Sequence, residues 1–284
     1  MKPDNRFQQQ PKSFWAYVRS VSEKDGYTDG HTKQVKTPSL RDILQALQAL
    51  GLSTSDAVDL AGQPTELGST LVAYFRHRAD VLNAYVEPRL MDADRAREVF
   101  KELRGTYRPK CPIPMNKQRG KKKGPAYFTG MVNILIEAYA GELPCEYDPL
   151  RLTTITRDHI PLRTLARRVD GAFPSASNPI AVWEIKEYYH TTTFGSRVAD
   201  GIYETLLDGM ELEELRDHEG VDVKHYLMVD SHNTWWELGK SYLCRIIDML
   251  HMGYLDEALF GHEVVERLPE IVAEWVAIAR DRGL

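Results

Sequence analysis

Three ionisable side chains on two neighbouring strand-like segments are spaced so that they could meet at one point. Asp170 ends one apolar run, and Glu184 and Lys186 follow after a gap of thirteen residues, in the run 180–189. Because side chains alternate between the two faces of a strand, Glu184 and Lys186 point the same way. Two carboxylates can hold a hard cation such as Mg²⁺, and a lysine can orient an attacking water beside a phosphate. The pattern predicts metal-dependent hydrolysis of a phosphodiester.

The segments around these residues predict an α/β core. Helical spacing of apolar residues predicts helices over 130–140 and 196–209. Apolar and β-branched runs predict strands over 151–156, 167–173, 180–190 and 223–230. Helix, three strands, helix and strand then follow one another in that order.

Asp170, the gap and the tripeptide Glu184-Ile185-Lys186 resemble the motif of the PD-(D/E)xK nucleases, which include most type II restriction endonucleases. Val169 stands where the motif has proline. The resemblance covers about 128–230 and implies a restriction-endonuclease-like αβββαβ core with a central mixed sheet flanked by helices. It further implies that Asp170, Glu184 and the carbonyl of Ile185 bind Mg²⁺, that Lys186 positions the attacking water, and that Glu137 on the first core helix belongs to the catalytic set.

The function implied by this resemblance is that of a type II restriction endonuclease. Such an enzyme cuts double-stranded DNA at a specific site, leaves 5′-phosphate and 3′-hydroxyl ends, and is usually a homodimer. Its functional partner is a DNA methyltransferase that acts on the same site. RecB-like exonucleases carry a glutamine in the helix after the motif, which 196–210 lacks. Two alternatives stay open: a structure- or modification-specific DNA nuclease, and a non-catalytic DNA-binding protein on a degenerate nuclease core.

The distribution of charge predicts where DNA is contacted. The formal net charge is −5, but the stretch 103–136 contains no acidic residue and eight basic ones. A local basic surface is enough to bind phosphates. The segment 204–222 instead carries eight acids, which we expect to face away from DNA or to mark a partner contact. The predicted DNA contacts are Lys117, Arg119, Lys121, Lys122, Lys123, Arg163, Arg167, Arg168, His190, Thr191, Ser196 and Arg197.

The chain is expected to have two parts. Residues 1–125 form a mainly helical region with helices over 39–50, 53–61, 66–86 and 92–104, ending in a proline-rich basic linker over 106–125. Its middle helices could be a helix-turn-helix unit that presents Thr65, Glu66, Ser69 and Thr70 to bases, or a plain helical bundle. Residues 126–284 form the nuclease domain, whose last segments, 234–260 and 264–280, are predicted to be helical.

Composition bears on where the protein works. The chain of 284 residues is 43% hydrophobic and 27% charged, which is typical of a globular protein. No apolar run is long enough to span a bilayer, and the first residues lack the apolar core of a signal peptide. Its three cysteines are far apart in sequence. These features predict a cytoplasmic protein without membrane contact.

Overall fold

The computed structural model describes residues 1–118, 121–189 and 195–284, and of residues 117, 118 and 121–123 it describes the backbone alone. No helix in this part of the chain is long and apolar enough to cross a membrane. Cys111, Cys145 and Cys244 are all free thiols.

Short capped helices make up the N-terminal region. They are α1 (Asn5–Gln8), α2 (Lys12–Asp25), α3 (Leu40–Ala49), α4 (Glu66–Asp80) and α5 (Ala93–Tyr107), with a π-helical segment (Val81–Val86) and a 3₁₀ turn (Glu87–Arg89) after α4. The side chains of Ser39, Thr65 and Asp92 accept hydrogen bonds from backbone N–H groups at the starts of α3, α4 and α5. These caps satisfy donors that have no partner within the helix, which is why the helices begin there.

The predicted helix over 53–61 is wrong. Asp59 instead accepts hydrogen bonds from the backbone of Ala61 (2.8 Å) and Gln63 (2.8 Å), and Val58 forms an isolated bridge with Pro64. An aspartate that bonds to its own following backbone favours a turn over a helix. The first helix that a helix-turn-helix unit would need here is therefore missing, and the Thr65 side chain caps α4.

The proline-rich segment over 106–125 contains more structure than a linker. Its second half forms an antiparallel hairpin of β1 (Met115–Gln118) and β2 (Lys121–Pro125). The hairpin is a two-stranded sheet separate from the others. This agrees with the prolines of the segment, since proline is excluded from the central strands of a sheet. Helix α6 (Tyr127–Ala140) begins directly after it and covers the predicted helix over 130–140.

A mixed five-stranded sheet forms the centre of the molecule. The remaining elements are β3 (Glu146–Tyr147), β4 (Thr154–Arg157), β5 (Ile160–Thr164), β6 (Gly171–Phe173), β7 (Ala181–Glu187), α7 (Ser196–Glu219), β8 (Lys224–Asp230), a π-helical segment (His232–Leu238), α8 (Lys240–His251), β9 (Glu257–Phe260) and α9 (Glu263–Asp281). The strand order is β3-β6-β7-β8-β9. Strand β6 is antiparallel to both of its neighbours, β3 and β7, whereas β7, β8 and β9 run parallel to one another. The expected α/β class is confirmed at this level.

Two predicted elements are placed differently. The strand expected over 151–156 corresponds to β4, which pairs with β5 in a separate hairpin, and the short β3 takes the sheet edge instead. The segment expected to be helical over 234–260 ends in β9, whose four residues are all buried beside β8. A short buried apolar run fits either a helix or a strand by pattern, so its neighbours in the fold decide.

The two faces of the sheet pack against different helices. Trp183 on β7 lies in a core cluster with residues of α5, α6 and α9. Val182, on the opposite face, packs with Leu212 and Leu215 of α7. Because side chains alternate along β7, Glu184 and Lys186 share the α7 face with Val182.

Candidate active site

The pairing of β6 with β7 brings Asp170 beside Glu184. Gly171 is in register with Trp183, so Asp170 lies at the point where β6 begins. The backbone N–H of Asp170 donates to the Trp183 carbonyl (3.1 Å) and to Glu184 Oε1 (3.2 Å). Its carboxylate oxygen Oδ2 accepts from the backbone N–H of Ile185 (2.7 Å). The two acids of the sequence motif therefore lie together, each held by the other strand.

Lys186 completes this group. Its Nζ lies 2.7 Å from Glu184 Oε2, and both side chains are buried. Burial opposes the charge on each side chain, but the ion pair outweighs it, so the pKa of Lys186 is raised and the pKa of Glu184 is lowered. Lys186 is thus protonated at neutral pH, and it can donate hydrogen bonds and stabilise negative charge rather than accept a proton.

Arg167 is a member of the site, although the sequence suggested a contact at the DNA border. Its Nη1 lies 2.8 Å from Glu184 Oε1, and its Nη2 lies 3.1 Å from Glu184 Oε2. The same Nη1 lies 2.6 Å from Asp208 Oδ2. A planar guanidinium that grips a carboxylate through two N–H groups fixes both orientation and charge.

Two acids of α7 belong to the cluster and were not predicted as site residues. Glu204 Oε2 lies 3.4 Å from both Lys186 Nζ and Arg167 Nη2. The Asp208 side chain is fully buried, and its Oδ1 has no hydrogen-bond partner within the described residues. The signal available in the sequence was their spacing, since residues four apart on a helix share a face. The acids expected to face away from DNA therefore include two that face the site.

The carboxylates of the cluster oppose one another's ionisation. Burial, reinforced by the charge on Glu184, raises the pKa of Asp170 to about 6 and that of Asp208 to about 7. A cation bound between these carboxylates would relieve the repulsion between their charges. Such a pair of raised pKa values is typical of functional sites, although buried ion networks also produce it.

The donor set fits a hard cation with few protein ligands. Asp170 and Glu184 offer carboxylate oxygens. Trp183 and Ile185 direct their backbone groups to the same side of β7, where the Ile185 N–H donates to Asp170 Oδ2, so the Ile185 carbonyl points to the side of the strand on which Asp170 lies. Mg²⁺ typically uses one or two carboxylates and keeps several waters. No cluster of three or more His, Cys, Asp or Glu ligands occurs in the described ranges, so a metal here would rely on that water-rich coordination.

Glu137 does not join the cluster. Helix α6 packs on the Trp183 face of the sheet, opposite to Glu184 and Lys186. Glu137 Oε2 accepts a hydrogen bond from the backbone of Lys110 (2.8 Å). Burial and the neighbouring Glu137 together raise the pKa of the Cys111 thiol to about 12. Glu137 therefore holds the segment after α5, and the catalytic role expected from the resemblance is not supported by its contacts.

The predicted DNA contacts are distributed over several surfaces. Arg163 on β5 pairs with Glu214 of α7 at 2.5 Å, whereas Arg168 is exposed. Ser196 and Arg197 are exposed at the start of α7, and the Arg197 guanidinium lies 5.9 Å from the centre of the Tyr188 ring. Lys117, Lys121, Lys122 and Lys123 lie on the β1–β2 hairpin. Arg119, His190 and Thr191 lie outside the described residues.

Comparison with known proteins returned two families that carry no assigned activity. Residues 1–85 match the domain of unknown function DUF7690, and residues 91–275 match the domain of unknown function DUF7687. No curated protein and no solved structure matches the chain. The first match ends within the π-helical segment and the second begins just before α5, whereas the sequence placed the domain boundary after residue 125. Since the second match covers more than half of its length, the chain belongs to the DUF7687 family.

Proposed function

We propose that this protein is a Mg²⁺-dependent nuclease of the PD-(D/E)xK type that cuts double-stranded DNA. The observation that carries the proposal is the meeting of Asp170, Glu184 and Lys186 on paired strands, with Lys186 Nζ 2.7 Å from Glu184 Oε2. The element order α6, β3, β6, β7, α7, β8 also supports a restriction-endonuclease-like core, with the β4–β5 hairpin inserted between its first two strands.

Each side chain has a separate task in this proposal. Asp170, Glu184 and the Ile185 carbonyl hold Mg²⁺, which when bound stabilises negative charge on the phosphate and on the leaving oxygen. Lys186, held protonated by Glu184, donates to the attacking water or to a phosphate oxygen and orients it for in-line displacement. Hydrolysis leaves 5′-phosphate and 3′-hydroxyl ends, and it requires no covalent intermediate with the protein.

The most specific form of the proposal is a type II restriction endonuclease. A homodimer would match the two-fold symmetry of a palindromic site. Basic residues of the β1–β2 hairpin would supply phosphate contacts, and a methyltransferase of the same specificity would protect the host DNA. The exposed Arg168, Ser196 and Arg197 are the described candidates for contacts near the scissile phosphate.

The test is cleavage of unmethylated phage DNA by the purified protein with Mg²⁺, with and without EDTA. Lys186→Met removes the charge at the site, and Lys224→Met is its matched control. Lys224 lies on the adjacent strand β8 and is also paired with two carboxylates, Asp222 and Asp256. We expect discrete fragments from the wild type and the control, and none from Lys186→Met or with EDTA. The fragments should ligate without prior phosphorylation.

The remaining outcomes separate the alternatives. Cleavage confined to methylated or branched DNA would replace the restriction activity with a modification- or structure-specific nuclease. An absence of cleavage on all of these substrates, in a protein that still binds DNA, would overturn the enzyme and favour a non-catalytic DNA-binding protein.

A further inference from the structure

Arg167 occupies Glu184, one of the two carboxylates that the proposed function needs for metal binding. We infer that Arg167 is a resident counter-cation, which neutralises Glu184 in the metal-free protein and is displaced from it when a divalent cation binds at Asp170 and Glu184. This inference rests on the metal site of the proposed function. It assigns Arg167 and Asp208 as positioning residues that set the affinity of the site for metal.

The grip of Arg167 on Glu184 is specific and partly shielded from water. Both Nη atoms reach Glu184, at 2.8 and 3.1 Å, and the Arg167 side chain is 21% exposed. The next residue, Arg168, is exposed and has no ion pair within the described part of the chain. A bidentate pair against a fully buried carboxylate has to be broken before both oxygens of Glu184 can turn to another cation.

Displacement would not leave Arg167 without partners. Its Nη1 already lies 2.6 Å from Asp208 Oδ2, and its Nη2 lies 3.4 Å from Glu204 Oε2. The second oxygen of the buried Asp208, Oδ1, has no partner among the described residues and could take another guanidinium N–H. The two acids of α7 therefore form a second binding position for the guanidinium, so its charge stays paired after it leaves Glu184.

The charges of the cluster suit this exchange. When ionised, the carboxylates of Asp170, Glu184, Glu204 and Asp208 exceed the two cations, Lys186 and Arg167, by two negative charges. A divalent cation supplies that missing charge. If Arg167 is removed, the unbalanced charge increases, and the affinity for a divalent cation should increase with it.

The experiment measures binding of Mn²⁺ alone, without DNA, by titration calorimetry or by the electron paramagnetic resonance of free Mn²⁺. Arg167→Gln is expected to bind Mn²⁺ about tenfold more tightly than the wild type, because the metal no longer has to break one charge-assisted ion pair. Arg167→Lys keeps the charge but loses the bidentate grip, and it should bind between the two. Asp208→Asn leaves Arg167 more firmly on Glu184 and should bind more weakly.

Arg163→Gln is the matched control. Arg163 also pairs with an acid of α7, Glu214 at 2.5 Å, but it does not touch the cluster. It should leave Mn²⁺ affinity within about twofold of the wild type, and thermal melting without metal checks that each variant folds. If Arg167→Gln does not fold, the other two variants still test the inference, because Mn²⁺ affinity should rise in Arg167→Lys and fall in Asp208→Asn.

Two results would overturn the inference. One is an Arg167→Gln or Arg167→Lys variant that binds Mn²⁺ no more tightly than the wild type, and the other is an absence of Mn²⁺ binding in all of the proteins. Failure of the proposed function looks different: the wild type and the variants would bind Mn²⁺ in the expected order while none of them cuts DNA.

Discussion

At the residue scale, the position of the Lys186 ammonium depends on a glycine that leaves it room. A Cβ on Gly201 of α7 would lie 2.9 Å from the Tyr188 hydroxyl and 3.2 Å from Cδ of Lys186. The Tyr188 hydroxyl is the end of its side chain, and Cδ of Lys186 belongs to a flexible chain of methylene groups, so both can shift by a few tenths of an ångström. An alanine at this position therefore displaces the lysine more readily than it disrupts the fold.

We predict that Gly201→Ala separates stability from activity. Because alanine favours a helix interior over glycine by about 0.5–1 kcal/mol, the free energy of unfolding should stay the same or rise slightly. The displaced Lys186 should lower the rate of DNA cleavage about tenfold or more, because positioning by a fraction of an ångström matters at a reacting phosphate. Urea denaturation and single-turnover cleavage measure the two effects.

Gly105→Ala on α5 is the control, since a Cβ there meets nothing within 4 Å. It should show the same stabilisation with unchanged cleavage. Equal cleavage by both alanine variants would show that the room beside Lys186 is not needed.

The sequence predicted the meeting of three site residues and missed others for a physical reason. Strand alternation is local, so Glu184 and Lys186 could be assigned to one face of β7 from spacing alone. The bonds from Arg167 to Glu184 and Asp208 join elements that are distant in sequence, and no periodicity reports them. Glu137 was assigned to the site although it lies elsewhere. Helix α6 is apolar around most of its circumference, so its sequence does not show which face packs on the sheet.

At the element scale, the carboxyl end of β8 is held by a buried aspartate. Asp230 Oδ1 accepts from the backbone N–H of Met91 (2.8 Å) and of Ser231 (2.8 Å), and its Oδ2 accepts from the Tyr189 hydroxyl. Asp230 thus ties β8 to the segment before α5 and to the second residue after β7. Its burial outweighs these hydrogen bonds and raises the pKa of Asp230 to about 8.

This raised pKa predicts a loss of stability as the pH rises. The folded protein retains a proton on Asp230 up to about pH 8, whereas an unfolded aspartate releases it near 3.8. The folded state therefore binds more protons within that window, and the free energy of unfolding falls as pH increases through it. In Asp230→Asn the amide oxygen can still accept from Met91 and Ser231, so this part of the decline should disappear.

Urea denaturation of both proteins at several pH values between about 5 and about 8.5 measures the difference. Parallel curves for the wild type and Asp230→Asn would mean that Asp230 is ionised in the fold throughout. The raised pKa could not be expected from the sequence, where Asp230 simply ends an apolar strand. Its partners Met91 and Tyr189 lie far from it in sequence, and no local pattern reports them.

At the scale of the whole molecule, a buried ion pair joins the two regions matched by different families. Arg78 of α4 lies in the region 1–85, and Asp248 of α8 lies in the region 91–275. Arg78 Nη1 lies 3.1 Å from both carboxylate oxygens of Asp248, and the Tyr74 hydroxyl donates to the same carboxylate at 2.5 Å. Arg78 also donates to Ser22 of α2 at 3.2 Å, so the pair connects three helices.

We predict that Asp248→Asn lowers the free energy of unfolding by about 3–5 kcal/mol, because it leaves the buried Arg78 charge without its counter-ion. Since the pair spans both regions, the wild type should unfold in one transition by circular dichroism and by tryptophan fluorescence. Asp94→Asn on α5 is the control: Asp94 pairs with Arg97 at 2.9 Å on the surface, and its loss should cost less than about 1 kcal/mol. Two separate wild-type transitions, with Asp248→Asn affecting just one, would instead show that the two regions fold independently and that the pair serves one of them alone.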